Sequence, residues 1–341
     1  MRKTGAAVVG CGAIHTQHID AITRMDDVVL VAVVDTNNIK GQESAEKNDC
    51  LYFPDYQEIL SNSDIDVIHI CTPHYQHKEM IIAALQAGKD VFCEKPVALN
   101  RQEVAEIAAV QAQTGKTVGV CYQNRFNATT QALLNCVRQH ELGEIKGIRA
   151  FLTWDRRAPY YVESGWRGHK ATEGGSLLIN QAIHTLDLMQ LVGNGVEKLK
   201  SQIDTAFLAD VIDTEDSAMI AMQMKNGARG LFYGSNGYTH NAPIFLEVHG
   251  EKGTAILNNA ELIITTDKRN ETIKDEFYSD TGEKVYWGKS HYQAIQSFYA
   301  FLENNQNGTL ISLQEAYQSL NIVECAYLSA KENGWVILPE M

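Results

Sequence analysis

The chain has few basic residues relative to its acidic ones. It carries 29 Lys and Arg against 42 Asp and Glu in 341 residues, a formal net charge of −13. Binding to nucleic-acid phosphates needs a concentrated basic surface, so this balance argues against DNA or RNA as a partner. The sequence also lacks an apolar run of membrane-spanning length and a hydrophobic leader with a cleavage site. We therefore expect a cytoplasmic protein without a membrane partner.

Cysteine is present, but not in a pattern that indicates disulfides or zinc. The seven cysteines are odd in number and scattered, and no C-x-x-C pair occurs. Free cysteines in apolar segments behave as small hydrophobic residues. Cys71, His74 and His77 come nearest to a metal-ligand spacing, but they straddle a strand–helix junction and lack a fourth ligand. We expect reduced structural thiols and no metal site.

The first third of the sequence alternates strand-like and helical segments. The helix after the third strand should be capped by Thr72 and begin at Pro73. The expected strands are 6–9, 28–34, 67–71, 91–94 and 117–121, and the expected helices are about 15–25, 75–87 and 101–113. This alternation predicts an α/β fold with a doubly wound parallel sheet, which we assign to a dinucleotide-binding domain at 1–122.

A glycine turn follows the first strand. Gly10 allows the tight turn, Gly12 allows close approach to a pyrophosphate, and Ala13 and Ile14 lead into the helix. Asp35, about 20 residues further on, can accept hydrogen bonds from ribose hydroxyls and would repel a 2′-phosphate, which favours NAD over NADP. The third glycine of the usual motif is replaced by His15, which weakens the motif without removing its context.

Another apolar strand ends abruptly in Glu94, Lys95 and Pro96. In an open α/β sheet, ligands bind in the crevice outside the carboxyl ends of the strands. Lys95 would therefore point into that crevice, where its charge can serve chemistry. The alternative is a strand that simply stops at a surface pair of opposite charges.

The pattern changes after Cys121, and we assign 123–341 to an α+β substrate and oligomerisation domain. Its large, mainly antiparallel sheet should include 145–153, 218–224, 228–233, 245–249, 255–257 and 262–265, with a hairpin turn at Asn226-Gly227. Helices at about 292–303 and 313–330 should pack back on the first domain. If helices cover one face of this sheet, the other face still needs a cover. A second copy of the chain can supply it, so we expect a homodimer or homotetramer through this sheet.

The segment 173–187, E-G-G-S-L-L-I-N-Q-A-I-H-T-L-D, carries polar residues at helical spacing. Asn180, His184 and Asp187 would share one face of a continuous helix flanked by apolar residues. The alternative is a core helix whose histidine is satisfied by neighbouring groups.

Together, the G-C-G-A-I turn, the E-K-P strand end and G-G-S-L-L-I-N-Q-A-I-H-T-L-D resemble the glucose-fructose oxidoreductase/inositol dehydrogenase/rhizopine catabolism family over essentially the whole chain. The resemblance implies a Rossmann domain that binds NAD and a pocket where Lys95 and His184 lie beside the nicotinamide. Inositol-type members often carry aspartate at the position of Asn180, so a carboxylate-assisted mechanism is in doubt here.

From the motifs and the resemblance we expect Lys95 and His184 to be catalytic. Expected cofactor-binding residues are Gly10, Gly12, Ala13, Ile14, Asp35, Cys71, Thr72, Pro73, His77, Glu94, Lys95, Gln123, Trp166 and Arg167. Expected substrate-binding residues are Lys95, Asn124, Arg156, Tyr160, Asn180 and His184. Further residues of the polar and aromatic pocket segment are Arg157, Tyr161 and His169, and weaker candidates for the pocket wall are Tyr286 and His291.

These residues indicate an NAD-dependent dehydrogenase acting on a carbinol carbon of a sugar, sugar derivative or cyclitol. His184 would take the hydroxyl proton, and Lys95 would stabilise negative charge on the oxygen. One alternative is an NAD-dependent glycosidase that oxidises its substrate transiently. Another is a cofactor-sensing regulator without turnover, against which the presence of both Lys95 and His184 argues.

Overall fold

The structure, a computed structural model, describes residues 2–258, 260–275, 290–304 and 308–340. Tyr286 lies outside the described residues. The chain divides into two compact units. Unit 1 comprises Met1–Gln123 and Ser290–Ala316, and unit 2 comprises Asn124–Lys289 and Tyr317–Met341.

Unit 1 is built on a parallel sheet of six strands in the order β3-β2-β1-β4-β5-β6. The strands are β1 (Thr4–Val9), β2 (Val28–Val34), β3 (Leu51–Phe53), β4 (Val67–Ile70), β5 (Asp90–Glu94) and β6 (Val118–Cys121). The central strands β1, β4 and β5 are almost wholly buried, which suits their continuous apolar sequences. The order reverses between β1 and β4, so the carboxyl ends of these strands border the crevice expected for a ligand. The predicted doubly wound sheet is confirmed.

Helices connect these strands. They are α1 (His15–Thr23), α2 (Asn38–Asn48), α3 (Gln57–Leu60), α4 (His77–Gln86), α5 (Arg101–Thr114) and, from the later segment, α9 (Ser290–Glu303). The prediction that Thr72 caps a helix beginning at Pro73 is wrong. Pro73 has an extended ψ of 149°, a 3₁₀ turn covers His74–Gln76, and α4 begins at His77. The His77 ring contacts the Thr72 carbonyl, which gives that oxygen a partner outside a helical ladder.

Unit 2 contains a sheet of nine strands in the order β14-β13-β12-β11-β7-β10-β9-β8-β15. The strands are β7 (Ile145–Thr153), β8 (Val196–Asp204), β9 (Ser217–Met224), β10 (Arg229–Ser235), β11 (Phe245–Gly250), β12 (Gly253–Asn258), β13 (Glu261–Thr266), β14 (Asn270–Lys274) and β15 (Val336–Ile337). The pairing of β7 with β10 is parallel and the other pairings are antiparallel. The predicted mainly antiparallel sheet is therefore confirmed, and Gly227, with φ of +87°, closes the predicted hairpin.

The helices of unit 2 cover one face of this sheet. They are α6 (Ala128–Arg138), α7 (Ala158–Val162), α8 (Ile183–Val192) and α10 (Leu313–Glu332), the last lying in unit 2 from Tyr317 onward. Contacts of α6 and α8 with β7 and β11–β14 place them on that face. The opposite face, here called the outer face, carries Phe151, Met219, Leu231, Tyr233, Phe245, Ile256 and Ile263. None of the helices in the described ranges is both long and apolar enough to cross a bilayer.

Candidate functional site

The carboxyl end of β1 opens into the glycine turn. Gly10 has φ of +96°, and a Cβ atom there would lie 2.9 Å from the carbonyl carbon of Cys71. Both the backbone conformation and the close approach of the next strand therefore require glycine. A Cβ atom built at Gly12 would meet no atom of the described chain within 4 Å, so there is room beside its backbone.

Asp35 ties this turn to the end of β2. Its Oδ2 accepts a hydrogen bond of 2.7 Å from the amide of Cys11, and its Oδ1 accepts one of 2.7 Å from the amide of Asn37. An ionised carboxylate has about four acceptor positions, so lone pairs remain for the hydroxyls of a ribose. The turn, the open backbone and the acid on the neighbouring strand together fit a nicotinamide dinucleotide.

His15 occupies the position of the missing third glycine. Its Nδ1 contacts the carbonyl oxygen of Gly12, and Ile14 precedes it as the N-cap residue of α1. Burial lowers the pKa of this imidazole, although the contact with Gly12 opposes that shift, so the ring is neutral near physiological pH. The substitution leaves the turn and α1 intact.

His77 links the ends of two strands. Its Nδ1 lies 2.7 Å from the carbonyl oxygen of Pro96, and its Nε2 lies 2.9 Å from that of Thr72. Both ring nitrogens therefore contact backbone carbonyls, which leaves none for the metal ligation considered with Cys71 and His74. Burial also raises the pKa of the Cys71 thiol well above its ordinary value.

Glu94 and Lys95 end β5 in different environments. Lys95 is half-buried, whereas Glu94 is only 7% exposed, and its Oε1 lies 3.1 Å from Nε2 of His18 and 3.9 Å from Nε2 of His291. Burial alone would raise the pKa of Glu94. The hydrogen bond from His18 and the charges of His18, His291 and Lys95 outweigh burial and lower it. Glu94 is thus a buried carboxylate at neutral pH.

The thiol of Cys121 also lies near this pair. Ligand atoms of His18, Glu94 and Cys121 are within 4.8 Å of one another, a spacing compatible with a metal ion. Burial and the charge of Glu94 raise the pKa of the Cys121 thiol well above its ordinary value, so the sulfur stays protonated. Within this group, His18 and Glu94 are joined by a hydrogen bond of 3.1 Å.

Gln123 and Asn124 fall at the boundary of the two units. Gln123, in unit 1, is 4% exposed, and its Oε1 accepts a hydrogen bond from Sγ of Cys121 at 3.7 Å. Asn124 begins unit 2, and its Oδ1 is buried with no hydrogen-bond partner among residues that the structure describes. Such an oxygen is suited to bind a donor from a ligand.

A π-helical turn interrupts the predicted continuous helix. It covers Leu177–Gln181, with a hydrogen bond of 2.7 Å from the amide of Ala182 to the carbonyl of Leu177, and α8 begins after it. The continuous helix is therefore a wrong prediction, because the wider turn rotates Asn180 relative to His184. His184 lies half-buried in the first turn of α8.

Asp187 lies in the interior of unit 2. Its carboxylate forms two hydrogen bonds of 2.7 Å with Arg125 and accepts another of 2.7 Å from Ser319. Asp187 is 1% exposed, so this is a buried and fully bonded ion pair. For Asp187, the alternative of a polar residue satisfied inside the core is the one observed.

Glu173 is a buried site residue that the sequence motifs did not predict. It is 0% exposed; its Oε1 accepts a hydrogen bond of 2.6 Å from Nδ2 of Asn180, and its Oε2 accepts one of 2.5 Å from the amide of Gly168. Burial raises its pKa to about 7, although these hydrogen bonds and Arg167 oppose the shift. The only sequence signal was an acid directly before the glycine pair.

Arginines and aromatic rings form a cluster in the segment that precedes the π turn and α8. The guanidinium carbons of Arg167 and Arg156 lie 4.4 Å and 5.3 Å from the ring centroid of Tyr160. Arg167 also lies 5.1 Å from the Trp166 ring, and Arg156 lies 4.7 Å from that of Trp154. Stacked guanidinium groups and aromatic faces can contact both the C–H and the polar faces of a sugar.

A hydrogen-bond network supports the tyrosines of this cluster. Gln181 Nε2 donates to the Tyr160 hydroxyl at 3.0 Å. Asn236 Nδ2 donates to Gln181 Oε1 at 3.2 Å and to the Tyr161 hydroxyl at 2.9 Å. The Ser176 hydroxyl donates to the same Tyr161 hydroxyl at 2.9 Å. Gln181 and Asn236 were not expected here, because Asn236 comes from the end of a distant strand.

Other expected pocket residues lie at the surface. The Arg157 side chain is 77% exposed and bonds to Asp155, which matches the alternative of an arginine solvated at a turn. The His169 side chain is 55% exposed and lies 3.6 Å from Asp213. His291, in contrast, is buried beside Glu94 in unit 1.

Two family models match this chain. Residues 4–122 match the NAD-binding Rossmann fold of the GFO/IDH/MocA oxidoreductase family, and residues 135–338 match its C-terminal alpha/beta domain. The chain belongs to this family. The predicted family is confirmed, and with it an oxidoreductase that uses NAD.

Members of the family with named activities resemble the whole chain. Myo-inositol 2-dehydrogenase of Thermotoga maritima is 24% identical over 347 residues, covering 98% of both sequences. The WlbA dehydrogenase of Bordetella pertussis, solved with NADH and UDP-GlcNAcA, superposes with a TM-score of 0.87 at 26% identity over 100% of both chains. Levoglucosan dehydrogenase, solved with NADH and levoglucosan, shares the fold at 21% identity and a TM-score of 0.88, covering 99% of this chain and 100% of that one.

Proposed function

We propose that this protein is an NAD-dependent dehydrogenase of a carbinol carbon in a sugar, sugar derivative or cyclitol. The observation that carries the proposal is the edge of the unit 1 sheet, where the Gly10 turn, Asp35 and Lys95 follow the carboxyl ends of β1, β2 and β5. Relatives that act on inositol, and neighbours solved with a nucleotide sugar or levoglucosan, support this substrate class.

The cofactor would be held by residues that follow these strand ends. The amides of the glycine turn and α1 bind the pyrophosphate, and Asp35 binds the ribose and disfavours the 2′-phosphate of NADP. Cys71, Thr72, Pro73 and His77 border the same crevice after β4, and Glu94 and Lys95 border it at the end of β5. The proposed set also includes Trp166, Arg167 and Gln123. When bound, the nicotinamide accepts a hydride from the carbinol carbon.

Lys95 and His184 act on the hydroxyl group of the substrate that is oxidised. His184 takes the proton as general base, a role that suits an imidazole near neutral pH. Lys95 donates a hydrogen bond to the same oxygen and stabilises the negative charge that develops there. Asn124, Arg156, Tyr160 and Asn180 orient the other polar groups of the substrate.

The protein should act as a cytoplasmic homodimer or homotetramer. On the outer face of the unit 2 sheet, Met219 is 45% exposed and Leu231 is 48% exposed, and both belong to a row of apolar side chains. An exposed apolar patch of this kind favours a self-complementary interface.

The proposal is tested by following NADH absorbance with a panel of sugars, sugar acids, nucleotide sugars and cyclitols. Accumulation of NADH with one class, lost in His184→Ala, is the expected result. Release of a sugar from a glycoside without net NADH would instead indicate the glycosidase. Tight NAD binding with no turnover on any compound would indicate a regulator and contradict the proposal.

A further inference from the structure

The Tyr160 hydroxyl accepts a hydrogen bond inside unit 2 and retains an unused donor. Nε2 of Gln181 donates to it at 3.0 Å, and no group of the described chain accepts the proton of the Tyr160 hydroxyl. Burial raises the pKa of this phenol, although the charge of Arg167 opposes that shift, so the hydroxyl is protonated at physiological pH. A phenol has one donor position, which is therefore available to a ligand.

The direction of the bond between Gln181 and Tyr160 is set by Asn236. Asn236 is 0% exposed, and its Nδ2 donates to the Tyr161 hydroxyl at 2.9 Å and to Oε1 of Gln181 at 3.2 Å. Its Oδ1 is buried without a partner among the described residues, so the reversed amide would leave two N–H groups there without acceptors. Buried N–H groups without a partner are rarer in proteins than buried oxygens without one. Gln181 therefore presents its oxygen to Asn236 and its N–H to Tyr160.

Two guanidinium groups beside the same ring are also donors. The guanidinium carbons of Arg156 and Arg167 lie 5.3 Å and 4.4 Å from the centroid of the Tyr160 ring. Nη1 of Arg156 donates to the carbonyl of Asp155 at 2.8 Å and to Oδ1 of Asn241 at 2.9 Å, which leaves the N–H groups of Nε and Nη2. Nε of Arg167 is buried and has no partner within the described ranges. The unused positions of this donor cluster, Tyr160 with Arg156 and Arg167, are therefore donor positions.

The two arginines of the donor cluster also lack a counter-ion. No carboxylate of the described chain forms an ion pair with Arg156 or Arg167, and Asp155 is paired instead with Arg157 at 2.8 Å. Burial raises the pKa of nearby Glu173 to about 7, so this group carries only part of a negative charge at neutral pH. Since the chain as a whole has a net charge of −13, a local excess of positive charge indicates a site for an anion.

We propose that Tyr160 and Arg156 bind a carboxylate of the substrate, so that the protein acts on sugar acids in preference to neutral sugars and cyclitols. An ionised carboxylate has two acceptor oxygens and no hydrogen, which matches a cluster whose unused positions are donors. A hydroxyl in that place would bring a donor for which the cluster has no acceptor. Arg167 is assigned above to the cofactor, which leaves the single charge of Arg156 for a single negative charge. The sugar part of this inference rests on the proposed function, whereas acid binding can be measured without turnover.

Calorimetric titration of the NADH complex measures the preference directly. The ligands are acids with their neutral partners: D-glucuronate with D-glucose, D-galacturonate with D-galactose, and UDP-glucuronate with UDP-glucose. We expect at least one acid to bind about ten- to a hundredfold more tightly than its partner, as for a hydrogen bond to a charged group. D-glucose 6-phosphate compares a phosphate with the carboxylate and should bind more weakly than that acid.

Two single variants remove the two proposed contacts. Tyr160→Phe removes the phenol donor, and Arg156→Gln removes the charge. Each should lower the preference for the acid by about tenfold while binding of the neutral partner changes little. Arg138→Gln is the control and should leave the preference unchanged, since Arg138 is exposed on α6 and its Nε donates to the carbonyl of Leu134 at 3.3 Å.

Gln181→Glu tests the direction of the bond to Tyr160. The new carboxylate can still accept from Asn236, but it also accepts from the Tyr160 hydroxyl and so turns the phenol proton away from the substrate. The preference for the acid should fall, and adding Tyr160→Phe to this variant should cause no further loss. A further loss in the double variant would contradict the role given to Gln181. If Gln181→Glu does not fold, Tyr160→Phe and Arg156→Gln decide the inference.

Equal binding of acids and neutral partners by the wild-type protein would overturn the inference, even if a neutral sugar or cyclitol is oxidised with formation of NADH. Tighter binding of the phosphate than of every carboxylate would overturn it as well. Selective acid binding that is lost in Tyr160→Phe, in a protein that forms no NADH with any compound, would uphold the carboxylate site and contradict the proposed dehydrogenase.

Discussion

Asn180 donates a hydrogen bond of 2.6 Å from its Nδ2 to Oε1 of the fully buried Glu173. The turn before His184 therefore carries an amide whose hydrogen-bond partner is a carboxyl group. Burial raises the pKa of that carboxyl to about 7, so the pair changes charge in the neutral range. Asn180 lies in the π turn that precedes α8, which carries His184, and we expect this charge to affect the proposed base.

Asn180→Asp should move the acidic limb of kcat/KM to higher pH. Two carboxyl groups at hydrogen-bond distance share one proton, so the pair holds one negative charge over a range where wild-type Glu173 is becoming neutral. That charge stabilises the imidazolium of His184, which then loses its function as a base at a higher pH. The shift should be about 0.5–1 pH unit, and a change in KM alone would show that Asn180 only contacts the substrate.

Glu173→Gln is the matched variant for that profile and should move the acidic limb to lower pH. Its amide oxygen can still accept from Gly168, and Asn180 can turn its own oxygen toward the new amide nitrogen. The network is therefore kept while its charge is removed. Equal profiles in wild type and Glu173→Gln would show that His184 does not sense this carboxyl.

The same variant should change how stability depends on pH. The folded carboxyl of Glu173 keeps its proton up to a pKa of about 7, whereas the unfolded one loses it near 4.5. Its contribution to the free energy of unfolding is thus complete below the pKa of the unfolded state. This contribution is lost as pH rises through the pKa of the folded state. Denaturant unfolding gives the free energy of unfolding of Glu173→Gln relative to wild type. This difference should be more favourable to the variant at pH 8 than at pH 5, by on the order of 1–3 kcal/mol. A constant difference would place the titration elsewhere.

Lys95→Met should keep the fold and NADH binding but lower kcat by about 10²–10³-fold, because it removes a donor to the developing oxyanion. NADH fluorescence titration and steady-state kinetics measure the two effects separately. Lys78→Met is the control, since Lys78 forms an ion pair with Glu106 at 3.2 Å in the same unit. A folded Lys95→Met enzyme with unchanged kcat would make this lysine structural.

Asp35→Asn should lower the preference for NAD over NADP by about tenfold or more in kcat/KM, since one charge opposite a phosphate accounts for about 1–3 kcal/mol. Its amide oxygen can still accept the hydrogen bond from Cys11, which keeps the glycine turn in place. Higher kcat/KM with NADP in the wild-type protein would refute the role given to Asp35.

Leu231→Glu on the outer face should convert the expected dimer or tetramer to a smaller species in light scattering, because a buried unpaired charge is strongly unfavourable at an apolar interface. Ile39→Glu, at a residue that is 69% exposed in unit 1, is the control and should leave the assembly unchanged. A monomeric wild-type protein at micromolar concentration would contradict the proposed interface.

The sequence by itself determined the elements with strong local signals. The strands ending at Val34 and Glu94 are continuous apolar runs, and the positive φ of Gly10 and Gly227 follows from turns that few other residues can form. The short edge strands β3, β14 and β15 were missed, since they are short and, in β14, polar, and they are defined by a neighbouring strand.

Only the tertiary structure decided the partners of the polar residues. The sequence placed Asn180, His184 and Asp187 on one helix, but Asn180 lies in the π turn before α8, and Asp187 pairs with Arg125 from a distant segment. Likewise, no local pattern connects Glu94 to His18, since their pairing depends on how α1 packs beside β5. Periodicity reports which side of an element is buried, whereas hydrogen-bond partners and pKa shifts depend on groups far apart in the chain.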